Sequence, residues 1–418
     1  MGMRPGGKRV LVLGDYRQTV TVVRSLGRAG YEIILGTDQP RGSTALSRYV
    51  CDVWTYDNAS GPRFCHSVES FLRERRPDFV FTVGETQLRR LIPVGQRLES
   101  LAAWANPDFT AVARCFDKRA MYELAASLEV PGMPWTGWTS VAGWRRRAQE
   151  FGFPVVVKRK DSAEQVLSRK ALIYTSEAQF ESFLATAEGD ANPGSFVLQK
   201  YAPGVRHNCH VGAADGRLLA YFQQKVLRTD EADDTGIGVA GVSVAPSPAL
   251  RAYCERLTRA LRYTGIGCIQ FLVDERNHAV AFLEFNARMD STAALPYRMG
   301  LDFPLLALQL GAYRQARTQG RADAKRLIPS PLPDAYRAGV TYHWLHGDFG
   351  AFLHQVRGGS LRGAALARRL LGMAWLSMRS YHLTFDWRDP LPTAHMFWSR
   401  YVVNPLRRRL PAARSLAR

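Results

Sequence analysis

Three polar side chains interrupt two apolar runs between residues 265 and 288, and their types suit a hard cation. Gln270 lies in the first run. Glu284 and Asn286 lie two residues apart in the second, so they project from one face of a strand. Carboxylate and amide oxygens are ligands that Mg²⁺ or Mn²⁺ accepts together with water and phosphate oxygens. Arg288 continues this face and could grip a phosphate or a carboxylate through two hydrogen bonds.

Two strands joined by a short turn must position these side chains. Apolar residues 268–273 and 279–285 flank the polar residues 274–278, which predicts an antiparallel hairpin. The alternative to a metal site is an ordinary hairpin with one polar, solvent-facing side. Four polar groups on one face of an apolar run are unusual in such a hairpin, so the sequence favours a metal and phosphate site.

A second cation, Lys158, ends the apolar β-branched run that begins at Val155. The run predicts a strand that places the ammonium group at its carboxyl end, where ligands collect in such sheets. A point charge there suits phosphate, although a solvated strand end explains a single lysine equally well. Residues 199–201 lie beside a Pro-Gly turn and predict an edge backbone that could hydrogen-bond an adenine ring.

The order and spacing of these motifs resemble the ATP-grasp superfamily, and most closely its carbamoyl phosphate synthetase and biotin carboxylase branch. The predicted hairpin resembles the metal-binding hairpin of that branch. Residues 153–158 resemble the strand whose last basic residue reaches the ATP phosphates, and residues 196–204 resemble the adenine-binding hinge. Lys118, followed by the turn at residues 130–134, resembles the start of the nucleotide-binding half. The resemblance covers roughly residues 8–312.

The resemblance implies an α/β fold with a Rossmann-like amino-terminal domain (1–115), a two-lobed ATP-grasp domain (116–320) and a helical, basic extension (321–418). The small lobe would span about 125–200 and the large lobe about 201–320. ATP and Mg²⁺ or Mn²⁺ are the implied cofactors. The implied metal ligands are Gln270, Glu284 and Asn286. The implied nucleotide-binding residues are Lys118, Lys158, Gln199, Lys200, Tyr201, Gln270 and Glu284. The implied catalytic residues are Arg288 and Lys158.

The activity implied by the resemblance is a carboxylate-amine ligase, which activates a small acid as an acyl phosphate before an amine attacks it. One alternative phosphorylates a different acceptor, such as bicarbonate or an enol. Another is a non-catalytic ATP-binding module recruited to a membrane. The resemblance to this superfamily is also compatible with a homodimer.

Two departures from the family pattern concern the phosphates and the ribose. The segment 161–170, where many relatives have a glycine-rich loop, contains no glycine, although Arg169 and Lys170 could hold phosphate through their side chains. An ordinary charged turn explains that segment equally well. Arg206 stands where relatives commonly have an acidic residue for the ribose hydroxyls. The residues that contact ribose are therefore not assigned.

The amino-terminal segment predicts a βαβ unit. Residues 9–13 have a buried-strand pattern that ends at the turn residue Gly14, residues 19–30 have helical character with a glycine stop, and residues 31–37 form the next predicted strand. Glu85 follows a further apolar run, which would place its carboxylate in the crevice of a doubly wound sheet, near the acceptor substrate. Alternatively, Glu85 is a first-turn residue favoured by the helix dipole.

Composition fits an intracellular enzyme. The chain has 418 residues, 46% of them hydrophobic, and a net charge of +19. Its six cysteines contain no C-x-x-C pair, which favours a reducing compartment. Residues 1–8 are polar and predict no secretory signal, and no apolar run reaches the length of a membrane span. We therefore expect a cytoplasmic protein.

Positive charge is concentrated near the carboxyl end. From Arg357 onward there are twelve arginines and only two acids, Asp386 and Asp389. One interpretation is a helical subdomain that buries Trp375 and Trp387 and ends in a solvated basic tail. The other interpretation is that the Trp398 region and residues 407–409 contact an anionic membrane peripherally, at the inner membrane surface. No nucleic-acid reader motif is present, so no specific nucleic acid is expected as a partner.

Overall fold

The computed structural model describes residues 7–161, 164–231 and 233–403. The first sheet is fully parallel, with the strand order β3-β2-β1-β4-β5. Its strands are β1 Arg9–Leu13, β2 Glu32–Thr37, β3 Val50–Thr55, β4 Phe79–Thr82 and β5 Ala103–Trp104. Its helices are α1 Arg17–Arg28, α2 Gly61–Arg75, α3 Glu85–Leu91, α4 Gly95–Glu99 and α5 Phe109–Phe116. The predicted βαβ unit is confirmed.

The carboxyl ends of β1 and β4 lie side by side, because Leu13 pairs with Thr82. The turn after β1 therefore meets the amino end of α3 at one edge of the sheet. Gly14 makes this turn with φ +98°, a conformation that favours glycine, and a β-carbon there would lie 3.2 Å from the backbone nitrogen of Gly84. The geometry brings Arg17 and Glu85 to the same crevice.

The second sheet is antiparallel, with the order β6-β9-β7-β8. Helix α6 Lys118–Ser127 precedes it. Its elements are β6 Trp135–Gly137, α7 Val141–Phe151, β7 Val155–Arg159, β8 Leu172–Tyr174, α8 Glu177–Glu188 and β9 Phe196–Lys200. Helices α7 and α8 cover this sheet through Trp144, Phe180 and Phe183. Four helices begin at serine side chains that accept a backbone N–H, which is a common helix start: Ser60, Ser140, Ser176 and Ser247.

The third sheet has seven strands in the order β14-β13-β10-β11-β12-β15-β16. Its elements up to residue 318 are β10 Val205–Ala214, β11 Arg217–Thr229, β12 Gly238–Ser243, α9 Pro248–Ala260, β13 Gly265–Val273, β14 Val280–Asn286, α10 Ala294–Arg298 and α11 Phe303–Thr318. The remainder are β15 Thr341–His343, α12 Leu345–Arg357, α13 Gly363–Arg379, β16 Tyr381–His382 and α14 Leu391–Trp398. Short 3₁₀ or π turns occupy Thr44–Leu46, Ile92–Val94, Pro193–Ser195, Ala324–Leu327 and Ser399–Val403.

The two faces of the third sheet differ in character, as the alternation of side chains along strands requires. One face is apolar and carries Cys209, Ile269 and Phe271 in the main hydrophobic cluster. The opposite face carries Asn208 and Gln270, which pair across β10 and β13. A row of polar groups therefore lies on one side of a sheet whose other side is core.

The extension is not purely helical, because β15 and β16 add two strands to the third sheet. Two of its acids, Asp386 and Asp389, form ion pairs with helix α1. Arg24 Nε lies 2.9 Å from Asp389 Oδ2, and Arg28 Nη2 lies 2.6 Å from Asp386 Oδ2. A buried charge without its partner is costly, so these pairs fix the extension against the first sheet.

The prediction that Trp375 and Trp387 are buried was wrong. Trp375 is 55% exposed and Trp387 is 86% exposed. Helix α13 buries only Met373 fully and leaves a broad face uncovered. Residues 407–409 lie outside the described residues. Within the described residues, no helix is both long enough and apolar enough to cross a membrane.

Candidate active site

The predicted hairpin is confirmed by the antiparallel pairing of β13 and β14. Gln270 pairs with Glu284, and Cys268 pairs with Asn286, with a bulge after Gln270. The polar row therefore continues across two strands. Within the described residues, the Gln270 side chain has no hydrogen-bond partner, so its oxygen is available to a ligand.

Two lysines surround the Glu284 carboxylate. Burial raises the pKa of Glu284, but Lys118, Lys170 and a hydrogen bond from Asn286 outweigh this effect and lower the pKa below its ordinary value. Asn286 Nδ2 donates to Glu284 Oε1 at 2.8 Å. Glu284 is therefore anionic at neutral pH, as a metal ligand must be.

Lys118 and Lys158 bring two desolvated ammonium groups to this carboxylate. Lys118 is 8% exposed at the start of α6, and burial lowers its pKa. Lys158 Nζ donates to Gln199 Oε1 at 2.9 Å, and burial together with Lys118 lowers the pKa of Lys158 to about 8. The Nε2 atom of Gln199 is buried without a partner. Lys118, Lys158 and Lys170 therefore all lie near the Glu284 carboxylate, so cations outnumber this anion.

The backbone of residues 199–201 is not at a sheet edge, contrary to the prediction, because β9 lies between β6 and β7. The Lys200 N–H donates to Pro134 O at 2.9 Å, and the Tyr201 N–H donates to Pro154 O at 3.3 Å. The Ala202 N–H, one residue further, has no partner within the described residues. If this segment binds adenine, the Ala202 N–H and the exposed Lys200 ammonium are the donors that could hydrogen-bond the ring.

Glu85 and Arg288 join the first sheet to the third. Arg288 donates to Glu85 Oε2 from Nε at 2.9 Å and from Nη2 at 2.8 Å. Burial alone would raise the pKa of Glu85, but Arg288 and Lys170 lower it to about 2. Glu85 is thus more than a favourable first-turn residue of α3. It fixes the orientation of the guanidinium group that follows the polar row.

The two basic side chains of the segment after β7, Arg169 and Lys170, lie in different surroundings. Arg169 Nη2 lies 2.8 Å from Asp233 Oδ2 and 3.3 Å from Glu231 Oε2, so this side chain ties the segment to the β11–β12 loop. Lys170 instead lies close enough to Glu85 and Glu284 to lower both of their pKa values. Of the two basic residues, Lys170 is the one that faces the site.

Several residues of this cleft could not be assigned from the sequence. Arg206, at the position where relatives commonly have an acid for the ribose, donates from Nη1 to Gly236 O at 2.9 Å. Asn208 and Gln224 are buried on the polar row, and each has a side-chain oxygen without a partner among the described residues. Only the alternation of polar residues in β10 and β11 could have signalled them.

The donor set fits ATP with Mg²⁺. Gln270, Glu284 and Asn286 offer oxygens, which hard cations prefer. Lys118 and Lys158 offer unneutralised positive charge to phosphates. The unpartnered Gln199 and Asn208 atoms show that the polar network is incomplete without a ligand.

Comparisons with known proteins bear on the family of part of the chain and on the fold. Residues 240–315 match the family described as carbamoyl-phosphate synthase L chain, ATP binding domain. The alpha subunit of a mitochondrial methylcrotonoyl-CoA carboxylase from Glycine max is 24% identical over 213 residues, which cover 46% of this chain and 27% of that relative. The chain thus spans about a quarter of the length of this curated relative.

Two solved structures share the fold. A biotin carboxylase from Campylobacter jejuni, in complex with beta-gamma-ATP, has a TM-score of 0.62 and 16% identity over 80% of this chain and 74% of its own. The biotin carboxylase domain of 2-oxoglutarate carboxylase from Hydrogenobacter thermophilus, with MgADP, ADP and bicarbonate, has a TM-score of 0.59 and 17% identity over 73% and 69% of the two chains. The predicted resemblance is confirmed: this chain has the ATP-grasp fold and matches the ATP-binding domain of that superfamily.

Proposed function

We propose that the protein is an ATP-dependent ligase that activates a substrate carboxylate as an acyl phosphate and joins it to an amine. The observation that supports this most strongly is the convergence of Lys118, Lys158 and Glu284 in one cleft, with Arg288 at its end. Cations for phosphates, oxygen ligands for a metal and an oriented guanidinium for an acceptor are the groups that phosphoryl transfer to a carboxylate requires.

Each group has a distinct role in this proposal. Lys118 and Lys158 would hold the triphosphate, and Gln270, Glu284 and Asn286 would hold Mg²⁺, which would offset charge on the phosphates. Arg288, fixed by its two hydrogen bonds to Glu85, would orient the acceptor carboxylate.

The proposed reaction has two steps. An oxygen of the carboxylate attacks the γ-phosphorus of ATP while the bond to the bridging oxygen of ADP breaks. The amine then attacks the acyl carbon, loses a proton and expels inorganic phosphate. No nucleophilic side chain is needed, because the acyl phosphate is itself the activated species.

One alternative keeps the first step but uses bicarbonate or an enol as the acceptor. The structure from Hydrogenobacter thermophilus that shares this fold contains bicarbonate, which makes bicarbonate the first acceptor to test. A non-catalytic ATP-binding module is less consistent with the site, since all three oxygen ligands and the Glu85–Arg288 pair are in place.

The test is ADP release from ATP and Mg²⁺, measured with pools of small acids and with bicarbonate, each with and without pools of amines. A carboxylate-amine ligase should release ADP only with an acid, and should form an amide when an amine is added. Release with bicarbonate alone, independent of acids and amines, would replace the ligase by the alternative. Glu284→Gln serves as the inactive control, and its melting temperature reports whether it folds.

A further inference from the structure

Two arginines where the first and third sheets meet have no acidic partner. Arg17 begins α1, and its Nη1 and Nη2 each lie 3.3 Å from Gly238 O, while Nη2 donates to Ser291 Oγ at 2.7 Å. Its guanidinium stacks on the Trp344 ring at 4.1 Å. Arg206 donates to Gly236 O, and its Nε is buried without a partner. Within the described residues, no carboxylate lies within ion-pair distance of either guanidinium.

The nearest acids are already engaged elsewhere. Burial lowers the pKa of Arg17 to about 10, while Asp290 and Asp230 act on it only from a distance. Asp290 accepts the Thr292 N–H at 2.8 Å, and Asp230 accepts the Ile237 N–H at 2.6 Å. Neither carboxylate therefore neutralises the pair of arginines.

The contrast with other arginines is informative. The two arginines that the structure buries most deeply, Arg24 and Arg314, are 4% and 6% exposed, and each pairs with a carboxylate. Desolvated charges are normally paired in this way. Arg17 and Arg206 are also largely shielded from solvent, being only partly exposed, yet neither pairs with a carboxylate. We therefore expect their anionic partner to come from outside the chain.

Tyr342 completes this group from the extension. It is fully buried on β15, and its hydroxyl has no hydrogen-bond partner among the described residues. A β-carbon on Gly238 would lie 2.9 Å from that hydroxyl, so the phenol reaches the same residue whose carbonyl binds Arg17. Gly236, which binds Arg206, is two residues away and so within about 7 Å along the loop.

This group adjoins the reacting end of the cleft. Ser291, the hydrogen-bond partner of Arg17, is three residues beyond Arg288. Two guanidinium groups and a phenol present donors here, and the nearest acids, Asp290 and Asp230, form no ion pair with them. Such a group of donors suits a carboxylate or a phosphate monoester.

We propose that Arg17, Arg206 and Tyr342 bind a second anionic group of the acceptor acid, remote from the carboxylate that Arg288 orients. The substrate is then a dicarboxylate or a phosphorylated carboxylate, and a simple monocarboxylate is a poor substrate. This inference rests on the proposed ligase function, and it assigns part of the specificity to a residue of the extension.

The experiment compares the full-length protein with Arg17→Met, Arg206→Met and Tyr342→Phe. ADP release is measured with butyrate, succinate, glutarate and 3-phosphoglycerate, in the presence of the amine pool. We expect the dianionic acids to exceed butyrate in kcat/KM, and each arginine variant to raise the KM of the dianion roughly 10- to 100-fold, as loss of a charged hydrogen bond does. The KM for ATP should not change.

Direct binding separates this inference from the proposed function. Calorimetry with succinate and with inorganic phosphate should show binding that Arg17→Met and Arg206→Met weaken, even if no acid supports ADP release. In that case the anion site stands and the ligase function falls. If dianions neither bind nor react better than butyrate, or if both arginine variants behave as the parent does, the second anionic group is refuted.

Two control variants exclude a merely structural role. Arg24→Met lies on the same helix but removes a carboxylate-paired arginine, so it should lower the melting temperature. Arg17→Met should lower the melting temperature less than Arg24→Met does, because it removes hydrogen bonds to Gly238 O and Ser291 Oγ but no ion pair. Arg321→Met, which removes an exposed arginine paired with Asp323, should change neither stability nor selectivity.

Discussion

Nucleotide binding should take up protons above pH 8, because the pKa of Lys158 is lowered to about 8 by burial and by Lys118. Phosphates placed against the ammonium group would raise this pKa again, toward the ordinary lysine value of about 10.4. At pH 8.5, about three quarters of the unliganded protein would hold Lys158 neutral, so binding ATP should take up about 0.75 proton. At pH 7 the uptake should be about 0.1 proton.

The same linkage sets the pH dependence of affinity. If the pKa of Lys158 returns fully to its ordinary value, the coupling is worth roughly 3 kcal/mol. The Kd for ATP should therefore rise by up to about tenfold per pH unit above pH 8, until the pKa of the complex is reached. Since the pKa of Lys118 is also lowered by burial, Lys118 should add to the uptake and not cancel it.

The assay is calorimetry with a non-hydrolysable ATP analogue at pH 7 and 8.5, in buffers of different ionisation enthalpy. Lys158→Met should lose most of the uptake and bind more weakly at pH 7. Lys225→Met is the matched control, because Lys225 pairs with Glu275 at 2.7 Å and, as the neighbour of Gln224 on β11, projects from the face of the third sheet opposite the polar row. Tight binding without proton exchange at pH 8.5, or the same uptake in Lys158→Met, would refute the reasoning.

Three further predictions follow from the metal site, the extension and its surface. Glu284→Gln should fold and lower the rate of ADP release by on the order of 10²-fold, because it removes the proposed anionic ligand of Mg²⁺. Unchanged release would remove Glu284 from the proposed site. Asp348→Asn should lower the free energy of unfolding by about 3 kcal/mol, because the fully buried Asp348 carboxylate is the partner of Arg228 and Arg369, whose side chains are 31% and 13% exposed. Arg369 and His343 hold the pKa of Asp348 well below its usual range despite burial, so this stabilisation should be present above about pH 4 and fade as the pH falls further, as urea titrations would show. The exposed α13 face should bind anionic vesicles only below about 0.1 M salt if the membrane interpretation holds, with Trp375→Ser binding less; equal binding to neutral vesicles would contradict it.

Local patterns were sufficient to predict the elements that carry the site. The apolar runs around Gln270 and Glu284 gave the correct hairpin and the correct face, because strand alternation depends only on neighbouring residues. The turn at Gly14 and strand β7, in which Lys158 is the last residue but one, follow from equally short segments. The order of these motifs supplied the fold through its resemblance to a known superfamily.

Contacts between distant segments were not predictable in this way. Glu85 and Arg288 are 203 residues apart, and no periodicity in either segment indicates that they pair. Strand β9 was expected at an edge, but β6 covers it through residues that precede it by some 60 positions. Trp375 and Trp387 were expected in a core because large aromatics usually bury area, yet the extension packs through ion pairs and strands instead.

The ion pair between Arg24 and Asp389 has a consequence for the order of events during synthesis. The two residues are 365 positions apart, so at roughly 5 to 20 residues per second Asp389 is made about 20 to 70 s after Arg24. For most of that interval all five strands of the first sheet, which end at Trp104, have been synthesised, but the carboxylate that pairs with Arg24 has not. During synthesis the Arg24 charge on the nascent amino-terminal domain therefore has no carboxylate partner. Stalled or shortened chains that lack Asp389 should be the ones that proteases and chaperones recognise first.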